Sequence, residues 1–245
     1  TEIYTLSLHD ALPISEDFLG RVTFVTGPEK HCGKTTFLNR ALALVRAAGE
    51  RPAFLSIGYD GEARDSLSAA RKPAVPVAAG DVVVSAERFL RDGRILPEIL
   101  DILPGSSAFG RICAARARRP GRIVLVGPEG NEGVARALAF LRDEGAARTI
   151  LVDGAINRIT QAASWPGARF VFVLRTDAAG LDKSARQARR LSLLASLPAA
   201  PAEFGSGEGE YLLDGPLTAA TAQSLPDSAR AVAVEDFTKV FLDDG

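Results

Sequence analysis

The chain has 245 residues, 47% of them hydrophobic and 24% charged, and a net charge of −1. Apolar content of this kind supports a sizeable core, while the balanced charge excludes a general electrostatic pull toward nucleic acid or an anionic membrane. No apolar run reaches the roughly 18 residues that a spanning helix needs. The two cysteines, Cys32 and Cys113, make no disulfide framework, which fits a reducing cytoplasm.

The sequence contains no methionine. Its first residues, TEIYTLSLHDALPI, resemble the translation of a common short-read sequencing adaptor. Thr1 to Ile14 are therefore set apart as non-native, as an expression tag would be. His9 goes with them, which leaves His31 alone and excludes a histidine-based metal site or a Ser-His-Asp triad within one chain.

From Arg21 the pattern is strand, loop, helix. RVTFVT is apolar and β-branched, and KTTFLNRALALVRAAG has apolar residues at helical spacing with a stop at Gly49. PAFLSIG follows as a second strand, making a βαβ unit and implying a parallel sheet. The polar stretch GYDGEARDSLSAARKP reads as a loop over a site. AVPVAAGDVVVSA reads as short strands around Gly80-Asp81. ILPEILDILPGSSAFGRICAARARRPGRIVLVG reads as further strands with turns at Pro104-Gly105 and Pro120-Gly121, so an antiparallel, β-rich middle section is expected beside the parallel sheet. A second unit runs through RIVLVG, a helix from about Glu132 to Glu144, and RTILVDG. ARFVFVL adds a strand, LDKSARQARRLSLLASL a helix, and AVAVEDFTKVFL a strand-like end after the turn-rich PAAPAEFGSGEGE. The expected fold is α/β, a largely parallel sheet flanked by helices. The expected boundaries are a main domain over 15–198 and a turn-rich extension over 199–245, read as a truncated piece of a longer reading frame.

The stretch VTGPEKHCGKTTF, Val25 to Phe37, carries the chemistry. A strand ends at Thr26 and a helix begins near Lys34, so backbone N–H groups without intrahelical partners converge before a positive helix end. Gly27 and Gly33 let the backbone close around an anion. Lys34 reaches terminal phosphates, the Thr35 hydroxyl is placed to ligate Mg²⁺, and Thr36 faces the α-phosphate. Cys32 is either a reactive thiol at the helix start or a packing residue. Lys30 is a candidate nucleotide contact, with solvent or a partner across a dimer as the alternatives. The alternative for the whole stretch is an unliganded strand–helix turn.

Phosphate chemistry also needs a carboxylate across the metal. Asp153, closing the apolar run of RTILVDGA, fits that place, either holding the metal through water or polarising the nucleophile; the alternative is a residue that only caps or turns after the strand. Asp60 and Glu62 follow the second strand at the same sheet edge, as a second metal contact, a switch-like sensor or a solvated loop. GPEGNEG, Gly127 to Gly133, enters a helix and offers a further contact or a plain loop. Arg116, Arg118 and Arg119 form either a basic patch or an exposed turn. Arg175 and Thr176 end a strand where base recognition often occurs. No Asn-Lys-x-Asp guanine motif is present.

Five residues separate Gly27 from Gly33, one more than the usual phosphate loop. This G-x5-G-K-T spacing resembles dethiobiotin synthetase and the cobyrinic and cobyric acid synthase relatives, in the dimer-forming branch of P-loop proteins. The order GKTTFLN, LSIGYDGE, SAERFL, FGRICAARARRPGRIVLVGP, ARTILVDGAINR is similar to the P-loop subunit of lysine 5,6-aminomutase reactivase, over roughly Arg21 to Pro198. Tyr59 departs from the small or basic residue expected in that second motif. The resemblance implies a cytoplasmic ATP- and Mg²⁺-dependent helper that acts with a second reactivase subunit, as a homo- or hetero-oligomer. Its client would be a cobalamin- and pyridoxal-phosphate-dependent aminomutase, whose damaged cobalamin it exchanges for intact cofactor. Gly33, Lys34, Thr35 and Thr36 would bind nucleotide and magnesium, with Asp153 closing the metal site. The alternatives are a carboxylate-activating ligase of the dethiobiotin synthetase kind and a non-catalytic nucleotide-binding assembly subunit.

Overall fold

Following a short 3-10 turn at Ser15–Asp17, strand β1 (Val22–Thr26) leads into helix α1 (Lys34–Ala47) and strand β2 (Ala53–Ser56). Strands β3 (Val75–Val77) and β4 (Val82–Ala86) come next, then the short helix α2 (Glu87–Asp92) and the hairpin of β5 (Pro97–Ser107) with β6 (Gly110–Ala117). Strand β7 (Gly121–Ile123), helix α3 (Asn131–Asp143), β8 (Ile150–Asp153) and β9 (Arg169–Phe172) follow. This computed structural model describes residues 15–28, 32–58, 74–107, 109–154, 165, 167–176, 180–201, 203–234 and 240–241. Contacts divide the chain after Arg175 into two compact units.

The first unit holds a seven-stranded sheet in the order β5-β6-β4-β2-β8-β1-β9. From β4 to β9 all pairings are parallel, and β4-β6 and β6-β5 are antiparallel. Every residue of β1, β2, β4 and β8 is buried. Near-continuous apolar runs are what a parallel sheet covered on both faces requires. Helix α1 packs on β1 and β8 through Leu38, Ala41, Leu42 and Val45. Among the described residues no helix is long and apolar enough to cross a membrane. The second unit contains helix α4 (Leu181–Ser196), strands β10 (Glu210–Leu213) and β12 (Ala231–Val234), paired parallel, and β11 (Leu217–Thr218) with β13 (Val240–Phe241), also parallel, plus helix α5 (Ala219–Gln223). Of its described hydrophobic residues only Ala233 is buried, at 9% exposure.

Two sequence expectations change. Pro104-Gly105 is no turn: β5 runs through it with a register shift between Leu103 and Ser106, and the hairpin turns near Phe109. Proline cannot donate to the ladder, and an edge strand accommodates that loss as an irregularity. RIVLVG does not form a central strand either. Only Gly121–Ile123 is extended, and it pairs antiparallel with β3 in a separate ribbon. The antiparallel section is thus mostly a continuation of the main sheet.

The tail of α1 is anchored by an ion pair. The Asp81 carboxylate is fully buried and accepts hydrogen bonds from Arg46 Nη2 at 2.6 Å, Arg46 Nε at 3.1 Å and the Ala78 N–H at 2.7 Å. Arg46 Nη2 also donates to the Pro76 carbonyl. At the turn after α2, Arg94 and Leu96 adopt left-handed φ of 54° and 49°, which costs each on the order of 1 kcal/mol. The turn is tied down because the Arg118 N–H donates to the Ile95 and Leu96 carbonyls and the Arg119 N–H to that of Ile95.

Both cysteines are free and buried. Burial above all, then the charge of Glu87, pushes the Cys113 thiol above its ordinary value, against the pull of Arg111. Less thiolate at neutral pH means slow alkylation, so iodoacetamide should label Cys113 only after denaturation, as read by peptide mass mapping. Arg46→Ala strands the buried Asp81 carboxylate. It should lower stability by about 3 kcal/mol, measured as a reduced urea midpoint.

Candidate functional site

β1 lies between β8 and β9, with Val25 opposite Asp153 on one side and Thr26 opposite Phe172 on the other. Past the strand end, the Val173 N–H donates to the Thr26 carbonyl at 2.7 Å. At Gly27 the backbone passes so close to its neighbours that a Cβ would stand 2.6 Å from both Cys32 Sγ and the Val173 carbonyl oxygen. A side chain larger than hydrogen has no room. The buried Cys32 closes this side of the loop, and Lys34 Nζ donates to its sulfur at 3.6 Å.

The helix that follows starts in an unusual way. Its N-cap is Gly33, at a left-handed φ of 104°, with no side-chain cap and no acid in the first turn. The first intrahelical bond runs from the Phe37 N–H to the Gly33 carbonyl at 3.0 Å, so the N–H groups of Lys34, Thr35 and Thr36 have no intrahelical acceptor. Ordinary helices place Ser, Thr, Asp or Asn at the cap and acids in the first turn. This one offers glycine, lysine and two threonines. Thr35 is half-buried and Thr36 exposed.

The neighbouring strand supplies the carboxylate. Asp153 ends β8, is 7% exposed, and is aligned with Val25 of β1 and Ser56 of β2. Its carbonyl accepts from the Ile57 N–H at 2.9 Å, and the next N–H, that of Gly154, donates to the Val25 carbonyl. Gly27, Cys32, Gly33 and Lys34 are thus held in mutual proximity, with Thr35 and Thr36 in the first turn. Asp153 stands at the same carboxyl edge of the sheet, where ligands bind in open α/β folds. Lys30, Asp60, Glu62, His31 and Tyr59 lie outside the described residues. Arg175 and Thr176 are exposed beyond β9. Among the described residues no group of three or more His, Cys, Asp or Glu side chains could hold a metal by itself.

Sequence reasoning passed over Ser56. This buried residue ends β2, where its Oγ accepts from the Gly127 N–H at 3.0 Å and donates to the Gly58 carbonyl at 3.2 Å. The Gly58 N–H in turn donates to the Pro128 carbonyl. The knot draws the GPEG loop over the end of β2, so tightly that a Cβ on Gly127 would lie 1.5 Å from the Ser56 carbonyl oxygen. A lone polar residue ending an apolar run at the ligand edge was the available signal.

Gly33→Ala forces a left-handed backbone on a residue with a Cβ and should cost on the order of 1–2 kcal/mol. Gly127→Ala cannot be accommodated without moving β2 or the GPEG loop. Its melting temperature, followed by circular dichroism, should fall further than that of Gly33→Ala. Comparison of the chain with protein-family models, with curated proteins and with solved structures finds no match.

Proposed function

We propose that this chain is a P-loop protein that binds Mg-ATP at the turn before α1 and hydrolyses it. We infer further that the hydrolysis serves to reactivate a cobalamin-dependent aminomutase of the lysine 5,6-aminomutase type, through cofactor exchange and together with a second subunit. One observation carries the nucleotide reading: α1 opens on an uncapped, left-handed Gly33 with Lys34 in its first turn. A cation at the positive end of a helix is unfavourable by itself. A bound anion removes the repulsion and suits N–H groups that have no intrahelical acceptor, and a triphosphate is the anion that a lysine followed by two threonines suits best.

The residues present fit the nucleotide and its metal. At Gly27, where the chain leaves β1 for this turn, the backbone lies so close to Cys32 Sγ and the Val173 carbonyl oxygen that only glycine fits. Asp153 sits on the strand hydrogen-bonded to the one that enters the loop. Lys34 would bind the terminal phosphate oxygens, and the N–H groups of the first helical turn would donate to the phosphates. Thr35 and Asp153 would hold the magnesium, which when bound neutralises charge on the phosphoryl oxygens. Asp153 can also accept a hydrogen bond from a water and orient it. Catalysis of this kind is positioning and charge stabilisation by preorganised donors. The aminomutase role is supported by the similarity of the ordered motifs, GKTTFLN through ARTILVDGAINR.

Mg-ATP should raise the melting temperature of the parent chain, and Lys34→Ala should abolish that shift. Phosphate should be released without any added substrate and lost, by about 100-fold or more, in Lys34→Ala. With its partner subunit and ATP, the chain should restore turnover-inactivated lysine 5,6-aminomutase. No shift with ATP or GTP would sink the nucleotide reading. Phosphate release only in the presence of a small carboxylate would favour a ligase.

A further inference from the structure

Ser56 and Asp153 are register partners at the ends of the adjacent parallel strands β2 and β8. Residues paired in register project from the same face of a sheet, so the Ser56 hydroxyl and the Asp153 carboxylate belong to one row at the carboxyl edge. Both residues are buried, at 2% and 7% exposure. The Ser56 hydroxyl is committed to main-chain groups: it donates to the Gly58 carbonyl and accepts from the Gly127 N–H.

These bonds place the end of β2 between two neighbours. On one side the GPEG loop holds it. The Gly127 N–H also reaches the Gly58 carbonyl at 3.3 Å, and the Gly58 N–H donates to the Pro128 carbonyl at 2.9 Å. On the other side the same segment grips the end of β8. The Ile57 N–H donates to the Asp153 carbonyl at 2.9 Å, and Ile57 Cδ1 is 3.0 Å from where a Cβ on Gly154 would stand. A main-chain shift at residues 56–58 therefore moves both the Asp153 carbonyl and the wall against Gly154.

The next strand supplies a comparison. Ser85 of β4 is fully buried, and its Oγ donates to the Val124 carbonyl and accepts from the Val126 N–H. It ties down the same crossing segment with the same kind of bonds, but β2 separates it from β8.

We propose that Ser56 is a positioning residue for Asp153: its hydroxyl locks the end of β2 between the GPEG loop and β8, and so fixes the carboxylate that would hold magnesium. The GPEG loop is then a buttress for the metal side of the site. The inference rests on the nucleotide reading above. A carboxylate already set in place loses little conformational freedom when the metal arrives. Groups that hold a metal ligand in this way act on metal affinity, whereas the phosphate contacts of Lys34 lie on a different element.

The test follows the melting temperature of the full chain at fixed ATP as Mg²⁺ is titrated, with ATP in EDTA as the metal-free point. Ser56→Ala should raise the Mg²⁺ midpoint about tenfold and leave the shift with metal-free ATP unchanged. Ser85→Ala should lower the melting temperature of the ligand-free chain by a similar amount and leave the Mg²⁺ midpoint where it is. In an Asp153→Asn background, Ser56→Ala should add no further change to the midpoint. Amide exchange of the parent chain needs no variant to fold: magnesium added to the ATP complex should slow the Ile57 and Gly127 amides and leave Val126 unaltered. A parent without any Mg²⁺-dependent shift removes the nucleotide reading and this inference with it. A Mg²⁺-dependent parent whose midpoint Ser56→Ala does not move, or Ser85→Ala moves equally, overturns the positioning role alone. So does exchange at Ile57 and Gly127 that magnesium leaves unchanged.

Discussion

β1 has a hydrogen-bonded partner on each side and buried residues on both faces, and that confinement governs the rest of the molecule. A strand so enclosed cannot carry a charged or exposed group along its length. Chemistry can enter only where the strand ends. Parallel pairing with β8 and β9 sends all three strands toward one edge, so the turn after β1, Asp153 of β8 and Val173 after β9 meet there. Ser56 of β2 joins them because β2 runs parallel to β8.

Stability and chemistry pull against each other at this edge. The hydroxyl of Thr26, the last residue of β1, is buried without a hydrogen-bond partner, an arrangement that costs about 1–3 kcal/mol. Helix α1 then begins without a cap. The compensation lies at the far end of α1, where Arg46 grips the buried Asp81 and the Pro76 carbonyl. An anchored tail and a packed inner face hold the helix start in place, although Gly33 gives it no side-chain cap.

Much of the first unit was legible because local pattern and tertiary role agree. The β-branched run before Gly27, the helical spacing after Lys34 and the apolar run ending at Asp153 each have one reasonable interpretation, and each appears as an element close to its expected bounds. Where the reading slipped, a local signal was overruled by pairing. Proline and glycine at 104–105 ordinarily break a chain, but on an edge strand they bend the ladder and leave it running. RIVLVG has the composition of a buried strand, yet the slot beside β2 was already taken by β4 and β8. Its residues reach the core largely as an irregular crossing segment, with Leu125 and Val126 buried.

The sequence by itself determined the order of strands and helices, the glycines and lysine of the loop, and the carboxylate that closes β8, because periodicity and turn chemistry act over a few residues. Only the tertiary structure decided which strands became neighbours, and so which strand ends share an edge. It also revealed that Gly27 and Gly127 are constrained by contacts with distant carbonyls, from Val173 and Ser56, and that Arg94 and Leu96 are held in left-handed backbone by a segment more than twenty residues away. The physical reason is the same in each case. Close approach between remote backbones depends on sheet order, and sheet order is set by the competition of all strands for two neighbours each.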